Sequence, residues 1–144
     1  MNNKIKTAKI KERLKRYTLL LREIENQEER LELLNRETPG GVLTETKRKR
    51  LKEDLEKNLQ TESAENKLLE SLLESVGEPD ERAVIRLRYF DRLDWESVTS
   101  AIFGATAGFC DNPTKYKDKV FKLHGLALLS LAIALEARIN SKQQ

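Results

Sequence analysis

Five apolar residues, Ile10, Leu14, Tyr17, Leu21 and Ile24, recur at alternating four- and three-residue intervals. On a helix of 3.6 residues per turn this spacing draws one narrow stripe, and such a stripe is buried only against another helix. Glu28 interrupts the seam, and Leu31 and Leu34 resume it. Thr38-Pro39-Gly40-Gly41 is then a strong helix stop, a φ-restricted proline followed by two permissive glycines. A second helical pattern begins near Thr44, places Leu51, Leu55 and Leu59 four residues apart, and ends in Leu68, Leu69, Leu72, Leu73 and Val76. Its middle, Gln60 to Lys67, offers only Ala64 to a core and predicts a wet or broken turn.

Charge decides how the two helices pair. Residues 1–22 carry eight bases against Glu12, and residues 23–45 carry seven acids against Arg30 and Arg36. Lys47 to Lys52 then supply five bases in six positions, and residues 61–78 set five glutamates against Lys67. Folded antiparallel, two helices of this kind, each roughly 45 Å long at 1.5 Å per residue, bring each basic block beside an acidic one. A parallel pairing of two copies would set plus beside plus. Exposed pairs are worth only about 0–1 kcal/mol each and choose the orientation. Burying the leucines, at roughly 1.5–3 kcal/mol apiece, holds the pair. Residues 1–76 are therefore expected to form a long antiparallel coiled-coil hairpin. The basic blocks could also serve as a DNA-binding arm, but the acidic partner at matching depth favours mutual neutralisation.

Beyond Val76 the texture changes, and residues 77–144 read as a second domain. Pro79 with Asp80 and Glu81 starts a short helix over 79–90. Asp91-Arg92-Leu93 makes a turn, and Asp94 caps a second short helix containing Trp95, Val98 and Ile102. An irregular connector over 103–113 leads to a last helix, capped by Asn112 or Thr114 and running to about Ile139. From Gly125 this helix is nearly all apolar and demands burial against the rest of the chain or another subunit. In its first turns, Tyr116, Val120, Leu123 and Ala127 share the side that should face a core. Lys115, Asp118, Phe121 and Lys122 point away, with Lys117 and Lys119 on the flanks. A helix packed by its back and showing lysines with one aromatic suits a DNA major groove, although a solvated face has the same pattern.

The strings PDERAVIRLRYFDRLDWESVTSAI (79–102) and YKDKVFKLHGLALLSL (116–131) resemble region 4 of the sigma-70 family and related helix-turn-helix regulators. Glu81-Arg82, Val84-Ile85, Leu87-Arg88-Tyr89, Trp95-Glu96, Val98, Ala127-Leu128 and Leu131 carry that resemblance. Closer still are small phage transcriptional regulators of Gram-positive bacteria, among them the ArpU-like late-gene activators, through Phe121-Lys122-Leu123-His124-Gly125. The resemblance covers residues 78–131 well and 1–76 only in general character. It implies an all-α fold with a sigma region 4-like helix-turn-helix after the hairpin. It also puts Lys117, Asp118, Phe121 and Lys122 on the groove side, Arg86 and Arg88 near phosphates, and Glu96 where a base or phosphate-side contact is made. Two features depart from the pattern. The connector spans about ten residues where the standard turn has three or four, and reads as a wing, a disordered flap or a drifted geometry. Leu126 is apolar where a basic residue is usual.

Composition excludes several classes. The chain has 144 residues, 27 basic and 24 acidic side chains, and one cysteine, Cys110. No internal disulfide can form, which points to a reducing compartment and here to the cytoplasm of a bacterial host. No apolar run approaches the roughly 20 residues of a bilayer span, so no membrane association is expected. There is no phosphate-binding glycine loop, no cluster of metal ligands, and a single histidine, His124, from which no catalytic triad can be assembled. His124 and Trp95 are expected to be structural, and neither enzymatic activity nor a cofactor is expected. The expected function is that of a DNA-binding transcriptional regulator, an activator or sigma-like accessory that recruits bacterial RNA polymerase to double-stranded DNA. Homo-oligomers would form through the hairpin or the apolar last helix. A phage small terminase subunit and a helical interaction or inhibitor module that binds no DNA are the alternatives.

Overall fold

The computed structural model describes residues 3–36 and 42–142, so the Thr38–Gly41 stop lies outside the described residues. Every regular element among them is helical: α1 (Asn3–Arg36), α2 (Val42–Glu74), α3 (Pro79–Ile85), α4 (Trp95–Phe103) and α5 (Pro113–Lys142). The chain divides into two compact units, Met1–Lys15 with Leu69–Gln144, and Arg16–Leu68. These units do not divide at residue 76, because α1 and α2 each contribute residues to both.

In the Arg16–Leu68 unit, segments of α1 and α2 run antiparallel, and three polar links set their register. The Tyr17 hydroxyl donates to Glu62 Oε1 at 2.8 Å and accepts from Asn66 Nδ2 at 2.8 Å. Asn58 Nδ2 donates to Gln27 Oε1 at 3.0 Å, and Arg48 Nη2 to the Leu34 carbonyl at 3.1 Å. Partners fall from 66 to 48 along α2 as numbers rise along α1. The expected wet or broken turn over 60–67 is not there: α2 is continuous, and Ala64 is exposed. Tyr17, buried at 3% exposure, brings a hydroxyl into the seam, and Glu62 and Asn66 satisfy it where leucine could not. Nor does Glu28 interrupt the stripe. Gln27 takes the inward position three residues after Ile24, and Asn58 completes it while Leu59 turns outward.

The other unit holds α3, α4, α5 and the flanking parts of α1 and α2. Val84 of α3, Val98 of α4 and Val120 of α5 are wholly buried together, with Leu87, Leu93, Ile102, Phe103 and Leu123 packed around them. Pro79 opens α3, as its missing N–H and fixed φ favour, and Asp80 and Glu81 complement the dipole. The helix does not continue unchanged to residue 90. Arg86–Phe90 forms one π-helical turn, in which the Asp91 N–H reaches the Arg86 carbonyl at 2.9 Å. The chain leaves it through Arg92 at φ 60°, and the Leu93 N–H returns to the Leu87 carbonyl at 3.0 Å. Lys6, expected beside the acidic end of α2, pairs instead with Glu136 of α5 at 2.6 Å. Glu70, from that acidic end, pairs with Arg86.

Burial along α5 is uneven. Leu128 and Leu131 are buried, but Leu126 and Ile133 keep 55% and 56% of their surface exposed. The exclusion of a membrane-spanning helix by run length does not hold here. Over 18 residues α5 reaches a mean hydropathy of 1.6 with a third of that window buried, so by length and composition it could cross a bilayer. The charge-free stretch is only 123–135, between Lys122 and Glu136, and His124, Gly125 and Ser130 interrupt it further, which is why counting consecutive apolar residues passed over the helix. A core helix of a folded protein meets the same test.

Candidate nucleic-acid interface

The candidate interface is built on α4, the connector and the first turns of α5. Asp94 caps α4 as its side-chain chemistry predicts, accepting from the Ser97 N–H at 2.8 Å. That backbone bond holds the Asp94 carboxyl below its ordinary range. Asn112 is the residue that caps α5, its Oδ1 accepting from the Lys115 N–H at 3.3 Å ahead of Pro113 in the first turn.

The connector is tied to α5. The rings of Phe103 and Phe109 lie 5.3 and 5.8 Å from the Tyr116 ring, and the Tyr116 hydroxyl donates to the Ala107 carbonyl at 3.3 Å. Gly108, at φ 89°, supplies the left-handed turn that lets the segment fold back. Of the three expectations for this stretch, the disordered flap is the one these contacts contradict. Three aromatic rings give an otherwise irregular loop something to pack on.

Val120 at full burial and Tyr116 at 8% exposure fix which side of α5 faces inward. The opposite side presents Lys115, Asp118, Lys119 and Lys122, which with Asn112 and Thr114 line one open concavity. From Lys115 to Lys122 the helix advances about 10 Å at 1.5 Å per residue, roughly three base-pair steps of ~3.4 Å. The ammonium groups of Lys119 and Lys115 stand 5.0 and 5.8 Å from the Tyr116 ring centre, so that ring steers both stems. Phe121 remains 42% exposed, with its ring edge-on to Trp95 at 5.1 Å.

The other expected contact residues are engaged elsewhere. Lys117 is half-buried and pairs with Glu96 at 2.8 Å, a bond that holds the Glu96 carboxyl below its ordinary range. Arg88 lies over the Trp95 ring at 4.7 Å and donates to the Leu93 carbonyl at 2.9 Å. Arg86 makes two 2.9 Å bonds to Glu70, one to each carboxylate oxygen. The sequence names Asn112 and Thr114 as caps but does not show that they border the lysine concavity. Asn-Pro opening a lysine-bearing helix is the signal that could have done so.

Behind this surface lies a polar core contact. His124 is buried, its Nε2 is 2.7 Å from the Tyr89 hydroxyl, and its ring lies edge-on to Trp95 at 4.9 Å. Burial pushes His124 down to about 4, with the charges of Lys11, Arg88 and Lys15 adding to the effect. Burial likewise raises Tyr89 to about 12, so its hydroxyl keeps its proton, and it shares one hydrogen bond with the neutral imidazole whose direction follows the imidazole tautomer. Among the described residues no group of three or more His, Cys, Asp or Glu side chains is arranged to hold a metal ion.

Comparisons with protein-family models, curated proteins and solved structures return no match to the chain.

Proposed function

We propose that the chain is a sequence-specific DNA-binding transcriptional regulator in which α5 enters the major groove. In this proposal residues 77–144 act as a sigma region 4-like helix-turn-helix, and residues 1–76 as an antiparallel coiled-coil hairpin that binds a partner. The role is that of a phage late-gene activator or sigma-like accessory recruiting bacterial RNA polymerase. The observation that carries the reading is the open row of Lys115, Lys119 and Lys122 around Asp118, on a helix whose opposite side is anchored by Val120. Lys122, Asp118 and Lys115 would approach base edges while Lys119 neutralises phosphate. Lys117 and Arg88 act instead as supports that hold α4 and Trp95 in place.

The test is selection of bound duplexes from a random library, run beside the Lys119→Ala/Lys122→Ala variant. A defined motif that blurs in the variant is expected. The variant should also lower the slope of log affinity against log salt by about 1, since Lys119 neutralises one phosphate and each contributes about 0.9. Selection that enriches no sequence at moderate salt would overturn the proposal. A second reading draws on Leu126 and Ile133, which stand exposed on the same helix. In it α5 meets protein, as in a helical interaction or inhibitor module, and retained self-association or protein binding without DNA enrichment would support it.

A further inference from the structure

The Arg16–Leu68 unit carries a groove independent of the α5 surface. Its floor is Leu33 and Leu34 of α1 and Leu51 of α2, its volume is about 480 Å3, and it is open to solvent. Leu33, the neighbour of the stripe residue Leu34, keeps 58% of its surface exposed. The Arg48 side chain ties α2 to α1 beside this floor through the Leu34 carbonyl at 3.1 Å, and it pairs with Glu45 on its own helix. The groove is thus held open between two cross-linked helices.

Its rim is cationic on both sides, with Arg30 on α1 and Lys47 and Arg50 on α2. All three are exposed, and none has a carboxylate partner within ion-pair distance among the described residues. Asp54 is the one acid in the lining, so the groove carries an excess of two positive charges. An apolar floor between two antiparallel helices fits the leucine stripe of a third helix. Cations on both rims require that helix to carry acids on both flanks.

We propose that this groove docks an acidic amphipathic helix of a partner protein, about two turns of it, with leucine-type residues on Leu33, Leu34 and Leu51. Arg30, Lys47 and Arg50 pair with its flanking carboxylates. The charge is the discriminating feature: an apolar helix with neutral flanks leaves the three cations unpaired, and a basic helix is repelled.

The test uses the full chain and a fluorescent 18-residue helical peptide with a leucine stripe and glutamate flanks. Controls are the same peptide with glutamine flanks and a random-sequence DNA duplex as competitor. Saturable anisotropy is expected for the glutamate peptide, at least tenfold weaker for the glutamine peptide and weakened by salt. Leu33→Ser and Arg50→Glu, both at exposed positions, should each weaken it at least tenfold, with helical circular dichroism and melting unchanged. Equal affinity for the two peptides, no saturable binding, or variants that bind like the parent would overturn the proposal. Displacement of the peptide by duplex, with duplex binding lost in Arg50→Glu, would also overturn it and assign the groove to nucleic acid.

Discussion

Acidification below pH 6.5 should destabilise this protein, and His124 is the reason. Its imidazole is buried, hydrogen-bonded to the Tyr89 hydroxyl at 2.7 Å, and is lowered from an ordinary 6.5 to about 4. Above pH 6.5 the histidine is neutral in both the folded and unfolded chain and does not affect the balance. Between pH 6.5 and 4 the unfolded chain binds a proton that the folded chain refuses, so stability falls as pH falls. Each pH unit in that window costs up to about 1.4 kcal/mol, giving a loss of about 2 kcal/mol by pH 5 and roughly 3 kcal/mol by pH 4. Such a loss is a large share of the 5–15 kcal/mol typical of a folded domain. The assay is urea unfolding at pH 7, 6, 5 and 4, for the parent and for His124→Gln, whose amide can hydrogen-bond the Tyr89 hydroxyl in either direction without titrating. The parent's stability should slope downward from pH 6.5 while the variant stays flat to about pH 5. Glu70, Asp94, Glu96 and Glu136 are all lowered by their partners, so their contributions are lost only at lower pH. A parent curve flat between pH 7 and 5, or a variant with the same slope, would refute the reasoning.

Three substitutions probe the packing. Val120→Ala should cost about 2 kcal/mol, by transfer and cavity terms at a wholly buried site shared with Val84 and Val98, measured as a drop in the denaturation midpoint. Gly108→Ala places a side chain at φ 89° and should cost about 1–2 kcal/mol. Hydrogen exchange should localise that loss to 104–112, and protection unchanged there would count against a pinned connector. Tyr17→Phe removes the hydroxyl that Glu62 and Asn66 share and should destabilise the Arg16–Leu68 unit by about 1–2 kcal/mol. A melting temperature at or above the parent's would show that the cluster contributes nothing.

The elements of this all-helical chain were legible because their signals are local. The 4-3-4-3 stripe, the Asp94 cap, the proline opening of α3, and the inward side of α5 at Tyr116 and Val120 depend on neighbours a few residues away. Periodicity and capping register such neighbours directly. The lysine face was legible for the same reason, since Lys115, Asp118 and Lys122 lie three and four residues apart on one helix. Partnerships made across elements were not. Gln27 and Asn58 look like breaks in a seam until each is seen to satisfy the other, and Glu62 and Asn66 look like a wet turn until the Tyr17 hydroxyl arrives between them. Lys117 and Arg88 look like two more cations for a ligand, yet Glu96, Trp95 and the Leu93 carbonyl hold them. A side chain's polarity is written in the sequence, whereas its hydrogen-bond partner is chosen by which helix is packed beside it. The sequence by itself therefore determined the helices and the faces they present. Tertiary structure alone decided which charges remain free to bind and which are used to hold the fold.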